Sequence, residues 1–167
     1  MTARAYVLTV SDRCFAGEME DTSGPAVTDL LEGAGIAVEG YELVPDSRDQ
    51  IIDALLGAVA HGFDLVVTSG GTGLGPRDLT PQATAALIDF EVPGMAEEMR
   101  RVGMASTPHA MISRGIVGVR ARTLIVNLPG SERAATESLS AVLAVLPHAL
   151  DLLQGHTQHA PAEGAST

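Results

Sequence analysis

Two aspartates, Asp46 and Asp78, and the run Gly70-Gly71-Thr72-Gly73 between them are the residues of this chain whose types and spacing suit work on a phosphate. Glycines let the backbone turn sharply and approach a ligand closely, and consecutive amides in such a loop cradle an anion. Carboxylates supply the hard oxygens that magnesium takes, usually one or two of them together with substrate phosphates. Each feature also has a plainer explanation. The glycine run could be a tight strand-to-helix turn, Asp46 could cap a helix, and Asp78 could pair with its neighbour Arg77. The fixed order of Gly-Gly-Thr-Gly, Pro76-Arg77-Asp78 and Thr80-Pro81 weighs against a bare turn, which has no use for an Arg-Asp pair. Ser113-Arg114 and Pro129-Gly130-Ser131 could add anion contacts, from a guanidinium and from helix N-terminal amides. Ser131 could equally do no more than cap the last helix.

Such residues act only if secondary structure brings them together. Arg4 to Val10 reads as a strand that runs into a polar loop, Ser11 to Thr22. Ser23-Gly24-Pro25 opens a helix with Val27, Leu30, Leu31 and Ala34 on one face. A second strand, Val38 to Val44, precedes a helix bearing Ile51, Ile52, Leu55, Leu56 and Val59. Asp64 to Ser69 is a buried strand leading into the glycine loop. Thr80 is expected to N-cap the next helix with Pro81 in its first position. Val92 to Ala105 reads as helical, and Gly115 to Val119 and Thr123 to Asn127 as strands. Pro147 should kink or divide the last helix. The alternation predicts an α/β three-layer sandwich, a mostly parallel sheet flanked by helices on both faces. In such sheets ligands collect beyond the carboxyl ends of the strands. Ser11-Asp12, Pro45-Asp46, Gly70 to Asp78 and Pro129 to Ser131 should all lie there.

Composition narrows the chemistry. The 167 residues suit one domain, expected over residues 1–154, with a small polar tail over 155–167 expected to be disordered. All 10 basic residues are arginine, which excludes Schiff-base chemistry, an adenylyl-lysine intermediate and a Walker A lysine. Cys14 is the sole cysteine, so an internal disulfide and a cysteine-rich zinc site are excluded. A net charge of −11 argues against sequence-independent nucleic-acid binding, because that binding neutralises phosphates with Lys and Arg. It also leaves any anionic ligand to local features. No apolar run suggests a membrane span, and the N-terminus enters a strand without a signal-peptide layout, so a cytoplasmic protein is expected. His61 and His109 have no evident partner and receive no role.

The segments Val10-Ser11-Asp12, Thr22-Ser23-Gly24-Pro25, Val44-Pro45-Asp46, SGGTGLGPRD with Thr80-Pro81, Pro93-Gly94, Ser113-Arg114 and Asn127-Leu128-Pro129-Gly130-Ser131 together resemble the MogA/MoaB family of molybdenum-cofactor biosynthesis, related to the G domain of gephyrin. The resemblance spans roughly Tyr6 to Leu150. It implies a molybdopterin adenylyltransferase, which transfers AMP from Mg-ATP to the terminal phosphate of molybdopterin and releases pyrophosphate. It also implies roles: Asp46 and Asp78 position Mg2+ and the triphosphate, and Gly70, Gly71, Thr72 and Gly73 surround the nucleotide phosphates. Ser11, Asp12, Arg77, Ser113, Arg114, Pro129, Gly130 and Ser131 complete the substrate- and nucleotide-binding set. A homotrimer, sometimes paired into a hexamer, and a molybdenum-insertion partner protein follow from the same resemblance. Gln82 stands where many members carry Glu, and Glu132 where many carry Pro. The alternatives are a catalytically silent MoaB-type protein that binds pterin or nucleotide, and a magnesium-dependent phosphatase or nucleotidase.

Overall fold

The computed structural model describes residues 2–156, and most of the expected tail lies outside them. Six strands form one sheet in the order β2-β1-β3-β6-β5-β4: β1 (Arg4–Val10), β2 (Ala37–Val44), β3 (Leu65–Ser69), β4 (Phe90–Glu91), β5 (Val117–Arg120) and β6 (Thr123–Leu128). The pairs β1–β2, β1–β3 and β3–β6 are parallel, while β5 and β4 add an antiparallel edge. Among the described residues seven α-helices accompany them: α1 (Asp12–Phe15), α2 (Ser23–Gly33), α3 (Arg48–Ala60), α4 (Thr80–Ala85), α5 (Pro93–Met104), α6 (Glu132–Val142) and α7 (Leu146–Leu153). The sheet alternates sides along β1, where Val7 packs with Val27, Leu31, Leu139 and Leu146 on one face. Leu8 packs with Ile51, Leu55 and Leu87 on the other. Helices therefore cover both faces, as the alternation of patterns predicts, and every residue of β3 is buried. That is why β3 reads as an unbroken apolar run.

Register carries the loops to one edge. Val10 pairs with Val44, Thr9 with Ser69, and Ser69 with Leu128. The carboxyl ends of β1, β2, β3 and β6 are thus level, and the segments following them emerge side by side. Pro147 divides the last helical stretch as expected, with a turn of 3₁₀ helix at Leu143–Val145 between α6 and α7. Glu132–Leu153 is long and apolar enough by composition to cross a membrane. Here, however, the stretch is broken, and its Ala135, Leu139, Val142, Leu146 and Leu150 are spent on the core.

Some local expectations are corrected. Thr80 does not cap α4; Leu79 occupies the N-cap position, and the Thr80 hydroxyl instead donates to the Gly70 carbonyl at 2.9 Å. Part of the loop after β1 folds into α1, with Ser11 Oγ accepting from Cys14 N at 3.2 Å. Strand β5 begins at Val117 rather than Gly115. The two-residue strand β4 is both exposed and too short to show an alternating pattern.

Candidate active site

The glycine loop folds as it does because a side chain would not fit. Gly70 has φ +102°, and a Cβ there would strike the Val10 carbonyl oxygen. Gly71 has φ +68°, and a Cβ there would strike the Thr80 hydroxyl. These left-handed conformations suit glycine and strain other residues. The loop therefore lies directly against the end of β1 and the start of α4. It separates two concavities. A cleft of about 660 Å³ is lined by Ser11, Asp46, Gly70, Gly71, Asp78 and Glu132, among others. A smaller cavity of about 290 Å³ is lined on the other side by Thr72, Gly73, Met99, Ser113, Pro129 and Glu137, among others. Ser131 borders both.

Asp46 is not a helix cap, because Ser47 takes that position on α3. Instead, the Asp46 and Asp12 segments are stitched together: Asp12 N donates to Asp46 Oδ2 and Asp46 N donates to Asp12 Oδ1, both at 2.9 Å. Asp78 does not pair with Arg77 either; its Oδ2 accepts from Gly75 N at 2.8 Å. Arg77 reaches across to Asp12, with Nε donating to Oδ2 at 2.5 Å and Nη2 to Oδ1 at 3.0 Å, and it also donates to the Asp46 carbonyl at 3.1 Å. That fork holds the Asp12 carboxyl below the usual carboxylate range. Among the described residues, Oδ1 of Asp46 and Oδ1 of Asp78 accept no hydrogen bond. Each acid is thus fixed by one oxygen and offers the other. Burial raises the Asp46 carboxyl above its ordinary value. The Asp12 N–H opposes this, while the Asp12 and Asp78 carboxylates add to the rise. A divalent cation would relieve this repulsion, and two carboxylates with unused oxygens fit magnesium's donor preference.

Arg114 sits differently from a free anion-binding guanidinium. Its Nε donates to the Gly73 carbonyl and its Nη2 to the Asp78 carbonyl, each at 2.8 Å, and its main-chain N–H donates to Thr72 O at 2.8 Å. It braces the glycine loop from Gly73 to Asp78. Ser113 lies at the wall of the smaller cavity, where Arg100 donates to the carbonyls of Ser113 at 3.3 Å and Gly115 at 2.9 Å. Gly130 comes close to Gly70, joining the two loops at the point where the cavities meet. Ser131 caps α6 by accepting from Ala134 N at 3.2 Å. The same loop nevertheless borders both concavities.

Comparison with known proteins places these features. Residues 6–148 match the family model described as "Probable molybdopterin binding domain". The chain belongs to this family. Among relatives, a molybdopterin adenylyltransferase of Helicobacter pylori is 40% identical over 158 residues, covering 93% of this chain and 90% of that protein. A molybdenum cofactor biosynthesis bifunctional protein of Chlorobaculum tepidum is 38% identical over 91% of this chain, which spans 49% of that protein's length. The chain is thus about half as long as the bifunctional relatives it matches. The crystal structure of the molybdopterin biosynthesis enzyme MoaB from Thermus thermophilus superposes with a TM-score of 0.87 at 55% identity, covering 92% of this chain and 98% of that one. The mostly parallel α/β sheet is that of the MogA/MoaB structures.

Within this family fold, two polar clusters support the site, one partly exposed and one buried, and neither was picked out by residue type. Asp21 accepts from Thr9 Oγ1 at 2.8 Å, Gly24 N at 3.0 Å and Ser23 Oγ at 3.3 Å, and also from the Tyr41 hydroxyl. Ser23 bonds Ser69 at 2.9 Å, so the start of α2 is tied to the end of β3. Burial works against the Asp21 charge, but the four donors outweigh it and lower its pKa; burial and the Asp21 bond push the Tyr41 hydroxyl up to about 12. The second cluster centres on Asn127, whose Nδ2 donates to Thr68 at 3.1 Å and Thr84 at 3.0 Å. Thr84 donates to the Thr80 carbonyl at 2.9 Å. The signal was present only as polar residues inside strands, such as Thr9, Ser69, Thr68 and Asn127, and as an acid in the loop before α2, none of which names its partner. Of the two residues expected to depart from the family pattern, Gln82 is exposed on α4, whereas Glu132 lines the larger cleft.

Proposed function

We propose that this chain is a molybdopterin adenylyltransferase, a nucleotidyltransferase that uses ATP and molybdopterin in molybdenum cofactor biosynthesis. The observation that carries the reading is the pair Asp46 and Asp78. Each is anchored through one oxygen with the other unused, at a glycine loop between two concavities. The larger cleft, lined by Ser11, Asp46 and Asp78 among others, takes the nucleotide and the smaller cavity the pterin. Amides of Gly70 to Gly73 line the phosphates between them. Asp46 and Asp78 would hold magnesium, which neutralises charge building on the phosphates. A terminal phosphate oxygen of molybdopterin attacks the α-phosphorus of ATP and forms the new P–O bond. The bond to the bridging oxygen breaks, and pyrophosphate leaves with the electron pair. No protein nucleophile is needed; the chain's contribution is alignment and fixed dipoles.

The second reading is the catalytically silent MoaB-type protein that binds pterin or nucleotide without turnover. The unused carboxylate oxygens favour catalysis. Pyrophosphate release from Mg-ATP, measured with and without molybdopterin on wild type and Asp78→Asn, decides between them. Release that requires the pterin and collapses in Asp78→Asn supports the transferase. Pterin binding by a folded wild type that releases no pyrophosphate overturns it. Release of phosphate without a pterin acceptor would point to a phosphatase instead.

A further inference from the structure

The smaller cavity holds a carboxylate that neither the sequence motifs nor the catalytic pair uses. Glu137 lies on α6 and is the only acidic residue among the described residues lining that cavity. One oxygen, Oε1, takes both of its protein hydrogen bonds, from Ser106 Oγ at 2.8 Å and Arg133 Nε at 3.1 Å. Among the described residues Oε2 accepts none. The Ser106 and Arg133 bonds hold the carboxyl below its ordinary value, so it is ionised at neutral pH. Arg100, the one arginine among the described residues lining the cavity, is already committed to the Ser113 and Gly115 carbonyls. Buried Ala96 and Met99 supply apolar wall suited to a flat heterocycle.

Position along the helix adds a length. Glu137 is six residues beyond Ser131, the residue bordering both cavities, which places it about 9 Å further along the helix axis at 1.5 Å per residue. A ligand whose phosphate sits at the Ser131 junction would extend its ring system toward Glu137. The far edge of a pterin presents a ring N–H and an exocyclic amino group side by side, two donors in a row. An ionised carboxylate with an unused oxygen is the matching acceptor.

We propose that Glu137 is the specificity-determining residue of the smaller cavity, accepting hydrogen bonds from the aminopyrimidinone edge of the pterin. This assignment rests on the adenylyltransferase reading. It distinguishes pterins from lumazines, which carry an oxo group in place of the amino group and so set an acceptor against the carboxylate. Gln at this position offers one acceptor and one donor and matches the lumazine edge instead.

The test is calorimetric binding of 6-hydroxymethylpterin and of its lumazine counterpart to wild type, Glu137→Gln and Ser106→Ala. Wild type should prefer the pterin by about tenfold or more, the scale of one charge-assisted hydrogen bond. Glu137→Gln should lose or invert that preference. Ser106→Ala removes the contact between Glu137 and Ser106 but keeps the carboxylate, so it should retain the preference; a merely structural Glu137 would make the two variants alike. Equal affinity of wild type for the two heterocycles, or an unchanged preference in Glu137→Gln, overturns the assignment while pterin-dependent pyrophosphate release still stands. Failure of wild type both to bind the pterin and to release pyrophosphate overturns the transferase reading and this assignment together.

Discussion

Asp46 shows how a single side chain can trade stability for function. Its carboxyl is raised by burial and by neighbouring carboxylates, so the folded chain holds this proton more tightly than the unfolded chain does. As pH climbs from the ordinary carboxylate value through the raised one, Asp46 ionises at a cost, and the metal-free protein loses stability from this position. Asp46→Asn removes that cost. At neutral pH the metal-free variant should melt at or above the wild-type temperature, yet gain nothing from Mg-ATP. Its adenylyl transfer should fall on the order of 10²–10³-fold, the scale of losing one fixed electrostatic group at a reacting phosphate. Thermal unfolding from about pH 4 to about pH 8, with and without Mg-ATP, checks the sign, because a proton competing with the metal should shrink the ligand's stabilisation at the acid end. Arg114 makes a separate case. Its fork holds the Gly73 and Asp78 carbonyls, and Lys cannot reproduce that geometry. Arg114→Lys should cost about 1–2 kcal/mol of stability and lower kcat by loosening Asp78. A rise in KM with kcat intact would show that the guanidinium binds substrate directly.

At the level of elements, the junction of β3, β6 and α4 is held by polar groups inside an apolar core. Thr80 is fully buried and donates to Gly70 O, while Asn127 joins Thr68 on β3 to Thr84 on α4. Thr80→Val keeps the shape but leaves the Gly70 carbonyl without its hydroxyl partner. It should destabilise by about 1–3 kcal/mol, seen as a lower denaturant midpoint at constant slope. Activity should fall further than stability predicts, since Gly70 is where the loop touches the end of β1. The strands that converge here were legible in the sequence because each is a short apolar run followed by glycine, proline or aspartate. Their parallel arrangement followed from the alternation with helices, and the convergence of four loops followed from that arrangement. What could not be read was pairing between distant polar side chains. Asp12 with Arg77, Arg114 with the Gly73 carbonyl and Asn127 with Thr84 are separated by 65, 41 and 43 residues respectively. Neighbouring residues suggested local partners, such as Arg77 for Asp78 or a cap for Thr80, and the fold overrode them. The edge strand β4 was missed because two exposed residues carry no pattern.

At the scale of the whole molecule, net charge and site chemistry oppose one another. The chain carries −11 with no lysine, yet the proposed substrates, ATP and molybdopterin, are both anions. The long-range field therefore repels what the site must hold. Attraction has to come from short-range features: glycine-loop amides, a bound cation and the few arginines near the loop. These two contributions respond differently to salt. The field of exposed charges is screened beyond about 8–10 Å at 0.1–0.15 M ionic strength, whereas contacts inside a cleft are screened much less. Raising salt from low ionic strength should thus relieve the repulsion faster than it weakens the local contacts. The affinity for Mg-ATP should hold or rise by a few-fold between about 10 mM and about 150 mM NaCl, with the association rate rising in step. Calorimetry at fixed free magnesium, paired with stopped-flow association, measures both quantities. A steep loss of affinity with salt would mean that the arginines dominate over amides and metal, and would shift the nucleotide-binding assignment from the glycine loop to Arg77.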